Sequence, residues 1–415
     1  MSLALDPRVP TVFALLAAPG LATAASFLPL GDLAGGQSYS VAYDVSADGS
    51  TVVGSGTTQV GAQAFRWTAA TGMQSLGSVK PGSQTIARGV SADGTTVVGL
   101  DVGSGTSEAF SWSATGGMSG LGSLPPGAFT EGAWEVSADG NIAVGLSGGM
   151  PQAVRYEGGT ITGLGYLPGG EQSGAFGISA DGRVIVGFSD FELEIPGDGG
   201  EGGGSTFFRG EEAFRWQDGQ MSGLGDLPGG TFFSRAYSAS ADGSVIVGYS
   251  RAGELIDGGE GGFFERTFDQ AFRWTEATGM VGLGVGTANP DGGGSRALDV
   301  SGDGQVIVGS ASVGGEFTGG SAAIWMGDQG PLQLFGLLVA QGATGLDGWT
   351  LVSAEAVSAD GLTIVGWGYT NANPESQAWV ARLDATVVPL PPTLLLLGSA
   401  VGLLGWRRRQ GSQSA

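Results

Sequence analysis

The residues with the most obvious capacity for chemistry are carboxylates in two acidic, glycine-rich insertions. One reads Glu192-Leu193-Glu194-Ile195-Pro196-Gly197-Asp198-Gly199-Gly200-Glu201, the other Glu254-Leu255-Ile256-Asp257-Gly258-Gly259-Glu260. Clustered carboxylates on a pliable backbone suit Ca²⁺, a hard cation that takes six to eight oxygen ligands. Asp198, Glu201, Asp257 and Glu260 are the candidate ligands. Neither insertion has the ligand spacing of an EF-hand or of a calcium-binding β-roll, and a pair of solvated loops explains the same composition. The rest of the composition works by exclusion. The sequence has no His and no Cys, so thiolate chemistry, disulfides, Cys/His zinc sites and His-activated nucleophiles are ruled out. The formal charge of −22 repels nucleic acid and anionic membrane surfaces, which require a basic footprint.

These insertions interrupt a repeat, and the repeat sets the fold. A Ser-x-Asp-Gly element recurs with its aspartate at Asp48, Asp93, Asp139, Asp181, Asp242, Asp303 and Asp360. Six residues before each lies an alanine, from Ala42 to Ala354. Six residues after each, a glycine closes an apolar run, as at Gly54 and Gly366. An aromatic segment follows, such as Ala64-Phe65-Arg66-Trp67, and most units end in Leu-Gly, as in Leu76-Gly77. Asp-Gly between β-rich runs predicts a hairpin with a type I′ turn. The Val-Val runs, apolar on both faces, predict strands covered on both sides. The Leu-Gly segment is read as the fourth strand. Seven such units predict an all-β chain, a β-propeller of seven four-stranded blades over residues 27–384. The seventh unit lacks a Leu-Gly element, and an orphan Leu30-Gly31-Asp32-Leu33 precedes the first. An N-terminal strand is therefore expected to complete the last blade and close the ring. An open β-solenoid would account for the repeat but not for the orphan segment.

Seven copies of a residue point to structure rather than catalysis. The Asp-Gly pairs are read as turn residues, the Phe and Trp of the third strand as packing between blades, and Arg66, Arg155, Arg215 and Arg273 as partners for carboxylates or carbonyls of a neighbouring strand.

Both ends read as address labels. Residues 1–25 combine Arg8, an apolar stretch and the small-x-small triplet Ala22-Thr23-Ala24, with Ala25 as an alternative cleavage point; this is the pattern of an export signal. Residues 385–415 contain Val388-Pro389-Leu390-Pro391, an apolar stretch ending at Trp406, and Arg407-Arg408-Arg409. As a helix, Pro389 to Trp406 would reach about 27 Å, marginal for a membrane of roughly 30 Å, with the arginines held on the cytoplasmic side.

This tail resembles the PEP-CTERM bacterial sorting signals in their VPLPA variant, with Pro392 where that variant usually has Ala. The resemblance implies membrane attachment through the C-terminal helix before processing, recognition by an exosortase-like sorting enzyme, and delivery to the surface of a Gram-negative bacterium. The repeat resembles the HAF-type extracellular repeat family, whose Ser-x-Asp-Gly, Val-Val-Gly, Ala-Phe-x-Trp and Leu-Gly-x-Leu elements appear here in order, without the His. That family is found in exported bacterial proteins. The expectation is an exported, non-catalytic surface or matrix protein that binds polysaccharide or another surface protein. A carboxylate-based glycoside hydrolase or lyase, and a structural spacer, are the alternatives.

Overall fold

A computed structural model describes residues 24–103, 105–125, 131–195, 206–230, 232–257, 263–285, 293–312, 320–327 and 330–385 of the chain. Its strands form seven separate four-stranded antiparallel sheets, the blades of a propeller. In blade 1 the order from axis to rim is Ser40–Val45, Thr51–Thr58, Gly61–Thr68 and Gly72–Ser75. The inner strands of blades 2 to 7 are Gln84–Val90, Gly132–Val136, Ser173–Ile178, Ser234–Ala239, Ser295–Val300 and Trp349–Val357.

The Asp-Gly turns differ from the expected type. Gly49 has φ +73°, but Asp48 is not among the positive-φ residues. The Gly49 N–H donates to the Ser46 carbonyl at 2.8 Å, the pattern of an ordinary turn followed by a left-handed glycine rather than type I′. The serine and aspartate then lock the turn. Ser46 Oγ donates to Asp48 Oδ1 at 2.8 Å and accepts from the Thr51 N–H at 3.0 Å, while Asp48 Oδ1 also accepts from the Ser50 N–H at 2.9 Å. The small residue between them links the blades. The Ala47 N–H donates to the Ala92 carbonyl, and the relay continues through Ala138, Ala180, Ala241, Gly302 and Ala359 back to the Ala47 carbonyl, at 3.0–3.2 Å. Each turn thus feeds the next in a closed ring of hydrogen bonds.

A second seam uses the residue that opens the inner strand. Buried Ser40 accepts from the Ala378 N–H at 3.0 Å and donates to the Gly31 carbonyl at 2.9 Å, both in the preceding blade. Thr85, Ser173, Ser234 and Ser295 make the same pair of bonds to the Ala of the third strand and the Gly of the Leu-Gly element. That pairing explains the Ala of Ala-Phe and the Gly of Leu-Gly. The Leu-Gly element is not itself the fourth strand. It follows that strand, which in blade 1 is Gly72–Ser75, and Leu76 turns inward with its N–H on the Ala64 carbonyl at 2.9 Å. The fully buried Phe65, Phe110, Phe214 and Phe272 fill the space between blades, as expected for packing residues. Arg66 meets its predicted kind of partner, donating to the Gly94 carbonyl of the next blade at 3.1 Å, whereas Nε of Arg155 and of Arg215 has no acceptor.

Blade 7 is closed from the N-terminus. Ser26–Pro29 pairs with Gln377–Arg382 in the register Ser26↔Arg382 to Pro29↔Trp379. The orphan Leu30-Gly31 is the exit from this strand, with the Leu30 N–H on the Ala378 carbonyl at 2.9 Å. Blade 6 departs from the repeat, since its outer strand is only Leu332–Gln333 and runs into a short helix, Leu334–Ala340. Leu334 and Leu338 of that helix pack in the same core as Phe27, Leu351 and Trp379, sealing the seam between the last two blades. No helix among the described residues is long and apolar enough to cross a membrane; the candidate membrane stretch lies in 386–415, outside them.

Phe27 sits edge-on to Trp349 with ring centroids 5.2 Å apart, and its neighbour Leu28 is 49 % exposed. Phe27→Ala is expected to cost about 3–5 kcal/mol and Leu28→Ala about 0.5 kcal/mol or less. Denaturant unfolding of the two variants measures this; equal losses would mean that the N-terminal strand does not close the ring.

Candidate functional site

The four predicted calcium ligands are not brought together in the described structure. Asp198, Glu201 and Glu260 lie outside the described residues, and Asp257 is described only as the end of the strand Ile246–Asp257. The described parts of the segments read as loops, 192–195 and 254–257, are strand. Ile185–Ile195 pairs with Thr206–Gln217, and Ile246–Asp257 with Phe263–Thr275, so blades 4 and 5 carry elongated hairpins. Among the described residues no group of three or more Asp or Glu is placed to hold a metal ion. Of the signal residues, Ala22 is outside the described region, Ala24 is exposed and Ala25 is buried. Val388 to Pro391 and Arg407 to Arg409 are outside it as well.

The structure instead assembles a site on the propeller axis, from a position that the repeat frames but does not fix. Each inner strand carries a β-bulge one residue after its invariant alanine. The glycine that closes each apolar run makes this possible. A Cβ on Gly54 would lie 2.0 Å from the Val41 carbonyl oxygen, and the other six glycines face the equivalent carbonyl at 1.9–2.0 Å. A bulge leaves one residue unpaired and re-aims it. Here those residues are Tyr43, Arg88, Trp134 and Phe176 from blades 1 to 4, and Tyr237, Leu298 and Glu355 from blades 5 to 7. All seven line one cavity of about 290 Å³ on the axis, at the small end of the range for ligand pockets.

One wall is aromatic. Trp134 meets Phe176 edge-on at 5.8 Å, Phe176 stacks on Tyr237 at 5.2 Å and 9°, and Tyr237 stacks on Tyr249 at 5.9 Å and 17°. Arginines sit on two of these rings and on the neighbouring Tyr43 and Phe188. The Arg88 guanidinium lies 4.1 Å from the Tyr43 ring and 4.7 Å from that of Trp134. Arg235 covers Phe188 at 4.5 Å, and Arg296 covers Tyr249 at 4.8 Å. The elongated hairpins supply the carboxylates for two of these cations: Glu211 Oε2 pairs with Arg235 at 2.6 Å, and Asp269 Oδ2 with Arg296 at 2.6 Å.

The floor is a set of buried acids that repair the bulges. Asp44 Oδ1 accepts from its neighbour Val45, and Oδ2 from Val90 of the next blade, both at 2.7 Å. Asp299 accepts from the Val300 N–H at 2.8 Å, from Ser238 Oγ of blade 5 at 2.6 Å, and from the Val357 N–H of blade 7 at 2.8 Å. Glu135 Oε1 accepts from the Val136 N–H at 2.8 Å. The side chains thus provide acceptors where the bulge has withdrawn them. Burial, reinforced by the charge of Asp299, holds Asp44 well above the usual carboxylate range; burial and then Asp44 do the same for Glu135. Burial also raises Glu355, against hydrogen bonds from Ser353 and Trp367, and pushes Asp299 up to about 6. A larger cavity, about 470 Å³, lies between blades 5 and 6 beside Leu283, Gly304 and Trp325. Its walls include the Arg, Leu-Gly and turn-Gly positions that recur from blade to blade, so nothing in it is specific to this place.

The bulge positions were legible in principle. Directly after each alanine the repeat reads Tyr, Arg, Trp, Phe, Tyr, Leu, Glu, a variable column inside a constant frame. Without the bulge, strand alternation does not send that column to the axis.

No protein-family model matches the chain, and no curated protein matches it. Among solved structures it is similar to TolB from Acinetobacter baumannii, at 14 % identity and a TM-score of 0.41, over 71 % of this chain and 62 % of that one. It is also similar to a putative TolB from Agrobacterium tumefaciens, at 15 % identity and a TM-score of 0.38, covering 75 % and 94 % of the two chains. A third is the Dos1 propeller, at 9 % identity and a TM-score of 0.41, covering 87 % and 95 %. The chain spans less than two thirds of the A. baumannii protein, and likeness at this level bears on neither ligand nor activity.

The floor acids predict an unusual pH profile. A carboxyl whose pKa is higher folded than unfolded stabilises the fold below its unfolded value, near 4, and loses that contribution as pH rises through the folded value. For Asp299 that window runs from about pH 4 to about 6. The turn aspartates Asp48, Asp93, Asp139, Asp181 and Asp242 are held low mainly by hydrogen bonds from the turn, so they act oppositely, losing stability only as pH falls below about 4. The thermal midpoint is therefore expected to be higher at pH 5 than at pH 7, with a shallower slope in Asp299→Asn. A slope unchanged by that substitution would contradict the assignment.

Proposed function

We propose that the chain is an exported, non-catalytic binding module, sorted through its C-terminal signal and displayed at the cell surface or in the extracellular matrix. There it binds polysaccharide or another surface protein at the axial pocket and the rim around it. The observation that carries this reading is the contrast between frame and column. Turn, seam and packing positions repeat in blade after blade, while the seven residues aimed into the axial cavity differ nearly everywhere. A scaffold alone does not require an aromatic wall, a guanidinium and a carboxylate to converge.

The floor acids favour binding over hydrolysis. A glycoside hydrolase or lyase needs carboxyl oxygens that face substrate. Asp44 and Asp299 each commit one oxygen to the following amide of their own strand and the other to an amide of the next blade. The raised acids in a pocket are nonetheless the feature that an enzyme reading would build on. Cleavage after Ala24 is compatible with the fold, because it would leave as the first residue Ala25, which packs in the blade 6–7 core.

Two measurements test the proposal. Mass spectrometry of the protein from its native host is expected to find Ala25 at the N-terminus and a C-terminus upstream of Trp406. An intact Arg407-Arg408-Arg409 would refute the processing step. The purified protein is also expected to co-sediment with polysaccharide extracted from the host envelope and to leave its chain length unchanged. Shortening of the polysaccharide that is lost in Glu355→Gln would establish the enzyme instead.

A further inference from the structure

Directly after the variable column, the inner strands carry a second one: Asp44, Gly89, Glu135, Gly177, Ser238, Asp299 and Ala356. Three acids stand among residues too small to reach across the axis. Two of the acids share one duty. Asp44 spans from the Val45 amide of its own strand to the Val90 amide of blade 2, and Asp299 from Val300 to Val357 of blade 7. Glu135, in blade 3, makes only the first half of that pattern. Its Oε1 accepts from the Val136 N–H at 2.8 Å, and among the described residues Oε2 meets no donor, on blade 4 or elsewhere. Yet Glu135 is buried, within the field of Asp44 and Asp299, and lines the axial cavity. A buried carboxylate oxygen in that position calls for a cation or a donor. Arg88 does not supply one. Its guanidinium lies against the Tyr43 and Trp134 rings, and the carboxylate that acts on it is Glu355 rather than Glu135. Asp44, Glu135, Asp299 and Glu355 thus share a cavity of about 290 Å³ with a single guanidinium.

We infer that the axial pocket receives an alkylammonium group, with Glu135 Oε2 as its acceptor and Asp44, Asp299 and Glu355 as the surrounding negative field. The inference rests on the binding-module reading and adds the ligand class. The choice among cations follows from geometry. No three of these acids are placed to close on a bare metal ion, and the cavity is far larger than one needs. A guanidinium asks for both oxygens of a carboxylate, and Oε1 of Glu135 is already taken. An ammonium is a point charge that a single oxygen can receive. Leu298, Phe176 and Tyr237 line the same cavity and give apolar wall to a methylene stem. A lysine side chain of a protein and a de-N-acetylated amino sugar both carry this group, and the net charge of −22 draws either one.

A proton and a cation compete for Glu135, whose carboxyl burial and then Asp44 hold well above the usual range. The other titratable or charged groups around it are Asp44 and Asp299 in the same column, and Tyr43, Arg88, Tyr237 and Glu355 in the neighbouring one; Phe176 and Gly177 of blade 4 are uncharged. An ammonium favours the ionised carboxylate, so its binding releases protons and tightens as pH rises from 5 to 7.

Calorimetric titration of the full chain with n-butylammonium and with 1-butanol, at pH 5 and 7 in buffers of different ionisation heat, tests this. The ammonium is expected to bind several-fold more tightly at pH 7, with proton release, and at least about tenfold more tightly than butanol, the effect of one charge-assisted hydrogen bond. Glu135→Gln keeps an acceptor for the Val136 N–H and should remove that preference. If this variant does not fold, proton release and the pH dependence of the unaltered protein still decide. A lysine tetrapeptide and a glucosamine disaccharide, each set against its N-acetylated form, distinguish the two sources. Binding of either through its free amine supports the assignment, and binding of neither overturns it. Equal binding of butylammonium and butanol, an affinity unchanged in Glu135→Gln or not rising toward pH 7, or binding of Ca²⁺ in place of the ammonium also overturns it. The binding-module reading is then decided separately by co-sedimentation with host polysaccharide, which does not depend on an amine.

Discussion

Everything else in this molecule depends on a ring of seven amide-to-carbonyl hydrogen bonds that has no end. The N–H of the small residue in each Ser-x-Asp-Gly turn is given to the carbonyl of the next turn, and the seventh returns to the first. An open stack of blades would leave one donor and one acceptor unpaired at its two ends, along with two exposed sheet edges. Closure removes all of these together, and it requires Ala359 and Ala47, more than three hundred residues apart in sequence, to meet. The turn residues are shaped for this duty. Serine and aspartate hold the loop rigid through their side chains, the left-handed glycine lets it reverse, and the alanine between them keeps its backbone free to face the neighbour.

The ring also makes the axis available. Seven inner strands held at fixed spacing must bring their inward residues together, and the bulge decides which residues these are. The glycine opposite each bulge admits the carbonyl that a side chain would exclude. The bulge residue is then freed from pairing and presented to the cavity. Its disrupted ladder is repaired by side chains where the sequence provides them, as with Asp44 and Asp299, which span to the next blade. The same irregularity thus serves two ends. It tightens the contact between blades and exposes a position at which sequence can change without disturbing the frame.

Much of this was readable from the residues. Hydrophobic runs, Asp-Gly turns and the seven-fold recurrence led to seven four-stranded blades, and the orphan Leu30-Gly31 led to closure by an N-terminal strand. What was missed has physical reasons. The Leu-Gly element attracts the fourth-strand reading because it recurs in most units, yet its recurrence comes from Leu packing and from a carbonyl offered to the serine seam. The strand itself, such as Gly72–Ser75, is largely exposed and free to vary. Asp-Gly alone does not separate a type I′ turn from an ordinary turn ended by a left-handed glycine. The acidic insertions are the most conspicuous departures from the repeat, and their described flanks extend the hairpins of blades 4 and 5. The axial column was hidden because its exposure rests on a bulge, which strand periodicity does not reveal.

The central claim is that the seven blades are one cooperative unit secured by a closed ring. Native-state hydrogen exchange at the amides of Ala47, Ala92, Ala138, Ala180, Ala241, Gly302 and Ala359 tests it most directly. The account predicts that these seven amides exchange with one shared opening free energy, that of global unfolding. Faster exchange at Ala359 and Ala47 than at the other five would show that the seam between the last and first blades opens by itself, and would contradict it.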